Sequence, residues 1–331
     1  MVKKIKWGIL STANIAQTQV IPAIQRSALA EVGAIASSSG KAAEVAAKLN
    51  IPRVYDTYEE LLLDPKIDAV YIPLPNSLHR KWVLEAAKHG KHILCEKPAA
   101  LAAEEMIEMD RHCKKENVLF MEAFMYQFHP QHDRVKEIIA SGEIGEVKLM
   151  RSSFSFYMED RETNIRMDKS LGGGSIYDVG CYCIHSMRHI LGAEPVKVHA
   201  HGNLDPDTGV DVSAVAYLEF DRGMIQGVFD CSFEASFRQE YEVVGTKGRI
   251  FVPRAFRPDV NGDVGLVTVE SNGQQRTELV EGDIYLLEVD HLSEAILEKK
   301  PLIYPAEKTI QNMRVINACY SSLEQKEEVT I

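Results

Sequence analysis

The triplet Glu96-Lys97-Pro98 closes a short apolar run, residues 92–95. Open α/β sheets bind ligands outside the carboxyl ends of their strands. A lysine released at such an end stands where a nicotinamide ring would lie, and the proline after it keeps it out of the helical region. In most other settings a lysine is only a surface charge. A second set of chemically capable residues lies in Gly172-Gly173-Gly174-Ser175-Ile176-Tyr177-Asp178-Val179-Gly180-Cys181-Tyr182-Cys183-Ile184-His185. Asp178, Tyr182, His185 and His189 follow one another at steps of four, three and four, which places them on one helix face. Their neighbours Ile176, Val179, Ile184, Met187, Ile190 and Leu191 are apolar. A row of proton-carrying groups on such a helix is costly unless used or paired, so together they read as a site, with His189 the most structural member. Cys181 and Cys183 point to different faces and cannot jointly hold a metal; no metal site is expected.

The first strand runs into Gly8-Ile9-Leu10-Ser11-Thr12-Ala13-Asn14-Ile15-Ala16. A dinucleotide fold needs a tight turn and small residues there, with helix amides facing the pyrophosphate. Ser11 and Ala13 stand where glycines would. Their small side chains permit close approach, although a positive φ would strain them; a plain strand-to-helix turn remains the other reading. The second strand ends in Ala36-Ser37-Ser38-Ser39-Gly40-Lys41, with no carboxylate before Glu44. Hydroxyls and a lysine suit the 2′-phosphate of NADP, with NAD as the alternative, and a serine there could also cap the next helix. Pro73, Leu74, Asn76 and His79 form a proline-bounded loop at the same sheet edge, either lining the nicotinamide side or making a βα turn capped by Ser77. The candidate cofactor contacts are therefore Ser11, Thr12, Ala13, Asn14, Ile15, Ser37, Ser38, Lys41, Pro73, Leu74, Asn76, His79, Glu96 and Lys97. The aromatic-rich stretch 121–129 reads as core and cleft wall.

These residues need a scaffold, and the chain supplies two kinds. Short strands alternate with helices up to residue 123, the grammar of a doubly wound parallel sheet of the Rossmann type. After that, strand-like runs with period-two alternation and turn signals such as Asp221-Arg222-Gly223 and Asn272-Gly273 predict a large open, predominantly antiparallel sheet in an α+β domain. The expected division is 1–123 for cofactor binding and 124–331 for substrate binding and oligomerisation. A length of 331 residues suits two domains. With 48 acidic against 37 basic residues the net charge is −11, which excludes global attraction to nucleic acid or an anionic membrane. No apolar run is long enough to span a bilayer, and the start Met1-Val2-Lys3-Lys4-Ile5-Lys6-Trp7 lacks a signal core, so a cytoplasmic protein is expected. Six cysteines form neither a disulfide framework nor a Cys-x-x-Cys site.

Taken together, the turn 8–16, the Glu96-Lys97-Pro98 triplet, the Glu122-Ala123-Phe124-Met125-Tyr126 junction and the helix led by three glycines resemble the Gfo/Idh/MocA oxidoreductases, in order and over the whole chain. A tyrosine at 182 is similar to the dihydrodiol dehydrogenase and NADP-linked xylose dehydrogenase branch. The resemblance implies hydride transfer between nicotinamide and a sugar- or polyol-like substrate, and a homodimer or homotetramer formed through the second sheet. It implies Lys97 as the active-site lysine, Tyr182 as the acid/base tyrosine and Asp178 as the acidic residue one turn before it. His185, Tyr157 and Arg166 are the candidate substrate contacts. Two departures stand out: Ser11 replaces the first turn glycine, and Gln127 stands where relatives often carry arginine. The rival reading is a cofactor-sensing binding protein without catalysis, which would need neither Lys97 nor Tyr182. Aldehyde chemistry at Cys95 is disfavoured because that thiol lies within an apolar strand.

Overall fold

The computed structural model describes residues 3–331; Met1 and Val2, at the start read above for targeting signals, lie outside them. The chain divides into two compact units, Met1–Phe124 with Tyr285–Ile310, and Met125–Ile284 with Gln311–Ile331.

In the first unit β1 (Ile5–Leu10), β2 (Ala30–Ala36), β3 (Val54–Tyr55), β4 (Ala69–Ile72), β5 (His92–Glu96) and β6 (Phe120–Ala123) form a parallel sheet in the order β3-β2-β1-β4-β5-β6. The order reverses between β1 and β4, the switch point where such sheets bind ligands. The strands read as nearly continuous apolar runs because both faces are covered by helices; Trp7, Ile9, Val70, Tyr71, Ile93 and Leu94 are fully buried. Residues 285–310, expected in the second domain from their place in the chain, cluster with this unit instead. Long-range polar contacts tie them there: Trp7 Nε1 donates to Ser293 Oγ (3.3 Å), Tyr304 Oη to Glu122 (3.3 Å) and Lys114 pairs with Glu307 (2.5 Å).

The second unit carries β7 (Val147–Tyr157), β8 (Pro195–Leu204), β9 (Asp211–Phe220), β10 (Ile225–Ser232), β11 (Glu234–Gly245), β12 (Gly248–Val252), β13 (Val264–Ser271), β14 (Gln274–Glu281) and β15 (Val329–Thr330). Their order is β14-β13-β12-β11-β7-β10-β9-β8-β15, antiparallel except where β7 meets β10. The strand β14, a largely exposed polar edge, carries too weak an alternation to be read from sequence. The helix led by the three glycines begins at Ile176 with a π turn, Ile176–Gly180, and continues as α-helix over Cys181–Leu191. It lies on β7 and β10, where Ser186 Oγ meets Ser152 Oγ at 3.3 Å. Gly227 makes that approach possible: a Cβ there would come within 2.8 Å of Phe220 and 3.0 Å of the Met187 sulfur. Among the described residues no helix is long and apolar enough to cross a membrane.

Candidate active site

The cofactor-side residues all come from carboxyl ends of strands in the first unit. At the end of β1 the backbone of Ser11 takes φ = 135°, the strained conformation a glycine would adopt without cost. Two hydrogen bonds hold it: Ser11 N–H donates to Ala36 O (2.9 Å) and Ser11 Oγ accepts from Ala13 N–H (2.9 Å). Gln17 braces the same turn through Thr12 O at 2.7 Å. At the end of β2, Ser37 Oγ lies 2.8 Å from Ser39 Oγ, and Gly40 turns the chain at φ = 74°. No serine caps the following helix: Lys41 occupies that position without a side-chain bond, and Ser38 to Lys41 are exposed. After β4 the helix begins at Asn76, with Pro75 rather than Ser77 in the capping position.

Lys97 follows the last residue of β5, and its loop is held by its main chain. Glu96 accepts from Lys97 N–H (3.4 Å) and from Tyr71 Oη (2.5 Å). The buried Glu122 accepts from Ala99 N–H at 2.9 Å. His79, expected among the cofactor contacts, is instead wholly buried, with Nδ1 2.9 Å from Pro98 O and Nε2 2.8 Å from Leu74 O. Burial pushes its pKa down to about 4, so the ring is neutral and its single N–H donates to one carbonyl while stitching two site loops together. That corrects its role from contact to brace. Cys95 is buried and its thiol is pushed well above the usual range by desolvation, which removes it as a nucleophile.

In the second unit Tyr182 is 5% exposed and walled by Tyr126, Phe154 and Phe256, with ring centroids 5.7, 5.2 and 5.5 Å away. Its hydroxyl donates to Met125 Sδ at 3.6 Å. Asp178 lies in the π turn and accepts from Arg166 Nε at 2.6 Å. The Asp178 carboxylate is the main cause of a raised Arg166 pKa, so the guanidinium keeps its charge; Tyr182 acts on it more weakly. Arg166 also lies over the Phe156 ring, 5.8 Å from its centre. A π turn widens the helix locally and is often found at functional sites; here it changes the phase assumed for the row 178–182–185–189.

Two expected substrate contacts lie elsewhere. Strand alternation sends Tyr157 to the face opposite Phe154, where its ring is 64% exposed, so it does not join Tyr182. His185 is 1% exposed and lies behind Tyr126, its Nδ1 2.5 Å from the Tyr126 hydroxyl. Asp211 escaped the sequence reading. It is buried, its pKa is raised by desolvation, and it accepts from Ser175 Oγ (2.8 Å), Ile176 N–H (2.8 Å) and Tyr320 Oη (2.9 Å), pinning the start of the Tyr182 helix. Gly174, at φ = 135°, leaves room for it, since a Cβ there would fall 2.2 Å from Asp211 Oδ1. The only local signal was a carboxylate opening an apolar strand. Among the described residues no group of three or more His, Cys, Asp or Glu is placed to hold a metal.

Residues 5–124 match an oxidoreductase family with an NAD-binding Rossmann fold, and residues 132–251 match the GFO/IDH/MocA C-terminal domain. A D-xylose 1-dehydrogenase (NADP(+)) of Haloferax volcanii is 41% identical over 320 residues, 96% of this chain and 97% of its own. The trans-1,2-dihydrobenzene-1,2-diol dehydrogenase of Mus musculus is 32% identical over 317 residues, 92% of this chain and 93% of its own. Among solved structures, KijD10, a 3-ketoreductase from Actinomadura kijaniata in complex with NADP and TDP-benzene, superimposes with a TM-score of 0.92 at 27% identity, covering 97% of this chain and 98% of its own. Relatives of this kind match the chain over nearly its full length, and the chain belongs to the Gfo/Idh/MocA family of oxidoreductases.

Proposed function

We propose that this protein is an NADP-dependent dehydrogenase or reductase acting on the CH–OH or carbonyl group of a sugar, polyol or related cyclic compound. The observation that carries the reading is Tyr182: a phenol hydroxyl set among aromatic rings, one helical turn from a carboxylate that holds an arginine in place. Bound nicotinamide supplies or accepts the hydride. Tyr182 exchanges the hydroxyl proton of the substrate, and Lys97 is the cation that holds a substrate oxygen. Asp178 keeps the Arg166 fork oriented for substrate hydroxyls, five N–H donors on a rigid plane. Around the adenosine ribose, the Ser37 and Ser39 hydroxyls, the exposed Lys41 and the lack of a carboxylate in residues 36–41 favour a 2′-phosphate. Ser11 to Ile15 face the pyrophosphate.

Following NADPH oxidation and NADP+ reduction over a panel of aldoses, inositols, dihydrodiols and diketones tests this. Turnover with a sugar or polyol is expected, with NADP(H) bound more tightly than NAD(H). Cofactor binding without turnover on any of them would favour the sensing protein instead. The outward face of the second sheet carries Arg151, Glu242, Arg249 and Glu270 in ion pairs and the exposed Val215, and supports self-association there into a dimer or tetramer. Six buried cysteines, all free thiols, suit the reducing cytoplasm.

A further inference from the structure

One aromatic ring of the second unit stands in the open. Phe237 is 53% exposed, whereas Phe154, Phe229, Phe233 and Phe256 of the same unit are buried. Leaving a phenylalanine in water forgoes a sizeable hydrophobic gain, so its exposure calls for a reason. Phe237 stands in a bulge: Ala235, Ser236 and Phe237 of β11 lie opposite the single residue Phe156 of β7, between the pairs Glu234–Tyr157 and Arg238–Ser155. Bulges re-aim side chains and are common beside active sites.

Polar contacts hold this bulge in shape. Ser155 Oγ donates to Ser236 O (2.7 Å) and accepts from Arg238 Nε (3.0 Å). Arg238 also pairs with Asp230, which accepts from Ser153 Oγ at 2.5 Å. Those bonds occupy the face that Arg238 shares with Ser153 and Ser155. Phe237, one residue earlier, is sent to the other face. There its ring meets Phe154 edge-on, with centroids 6.4 Å apart and planes at 77°.

Phe154 is also a wall of Tyr182, 5.2 Å away, so one ring touches both Phe237 and the proton-exchanging tyrosine. Two residues along β7 on the same face, the half-buried Phe156 lies under the Arg166 guanidinium, which is paired with Asp178. The strip is therefore polar at one end, where Tyr182, Arg166 and Asp178 can bond hydroxyls, and apolar at the other. Ligand sites commonly combine such an apolar lining with a few placed polar groups. A ring with hydroxyls on every carbon would press some of them against Phe237, where they find no partner, and burying them so is costly.

We propose that Phe237 is a specificity residue whose ring packs against the hydrocarbon part of a cyclic substrate. The substrate is then a ring compound whose hydroxyls gather at the reacting side and whose remote carbons carry none. A deoxygenated sugar and a carbocyclic diol share that chemistry. The pinned bulge fixes the platform before the substrate arrives.

This assignment rests on the reading of Tyr182 and Arg166 as the reacting side, and the test keeps the two apart. Ligand-observed NMR titrations of the NADP-loaded enzyme measure binding of trans-1,2-cyclohexanediol and of myo-inositol, carbon rings that differ in the hydroxyls on the remaining carbons. The wild type should bind the diol about tenfold more tightly, Phe237→Ala should lose most of that preference, and Phe237→Tyr, which keeps the ring, should retain it. Melting curves of the variants should match the wild type, because the replaced ring is exposed. No preference in the wild type, failure of both rings to bind, or a preference that survives in Phe237→Ala overturns the platform. So does a Phe237→Ala enzyme that changes its sedimentation while keeping the preference, since the ring would then be covered by a second copy of the chain. Diol binding that depends on Phe237, without turnover of any compound in the panel, overturns the proposed reaction and leaves the platform standing. Turnover in the panel beside diol binding that ignores Phe237 does the reverse.

Discussion

Around Lys97 neighbouring side chains hold the main chain of the loop. Glu96 and Glu122 take up the amides of Lys97 and Ala99, while His79 meets the Pro98 carbonyl. Around Tyr182 the restraints fall on the side chain itself, through three aromatic neighbours and the Met125 sulfur. A loop held by its backbone keeps its course when the functional side chain is cut back. A ring that is part of the packing takes its surroundings with it when removed. The two residues invite the same kinetic experiment but should respond differently in stability, and that contrast is open to measurement.

The largest effects are expected in turnover. Lys97→Ala should lower kcat by about 10²–10³, the scale seen when a preorganised donor to a developing charge is removed, with NADP(H) affinity nearly unchanged. Tyr182→Phe should lower kcat and kcat/KM together by about 10²–10⁴. Near wild-type kcat in either variant would remove that residue from the chemistry. The contrast itself is tested by truncation: Tyr182→Ala should cost about 3–5 kcal/mol, as loss of a buried aromatic does, while Lys97→Ala should stay within about 0.5 kcal/mol of wild type. Equal melting temperatures for the two would break the comparison.

The brace beneath Lys97 has a pH signature. An unfolded histidine titrates near 6.5 and folded His79 near 4. Above 6.5 both states are neutral and the contribution is intact. Below it the unfolded chain binds a proton that the folded state refuses, so stability is lost as the pH falls from about 6.5 toward 4. The gap corresponds to roughly 3 kcal/mol. Denaturant titrations at stepped pH should show a slope of that sign, and His79→Asn should make it shallower, the other buried histidines keeping their share; an unchanged slope would place the titration elsewhere. The smallest expected effect is at the end of β2, where Lys41→Ala should weaken NADP(H) by about tenfold, or ~1.4 kcal/mol, and leave NAD(H) alone. Equal weakening of both cofactors would mean that Lys41 meets no 2′-phosphate.

Legibility followed the range of the interaction. The parallel sheet, the small-residue turn at Ser11, the serine cluster after β2 and the lysine at the end of β5 were visible because strand periodicity and strand-terminal position are written in residues a few places apart. Even the Ser11 departure was readable, since a non-glycine at a tight turn announces strain, and the structure bears it at φ = 135°. Strand faces were less secure, because successive side chains alternate and one step sends Tyr157 away from Phe154. His79 looked like a ligand contact because a polar residue at a strand edge gives no sign that two carbonyls already meet it.

By itself, then, the sequence determined the two-part architecture and the elements that carry Lys97 and Tyr182. Only the tertiary structure decided that residues 285–310 complete the first unit, that Arg166 belongs to Asp178, that Asp211 pins the Tyr182 helix, and that His185 turns toward Tyr126. Those contacts join residues dozens to hundreds of positions apart, such as Tyr304 with Glu122 across 182 residues. Buried polar groups require partners. Which partner each one finds is settled by how elements pack, a property that no local pattern of residues encodes.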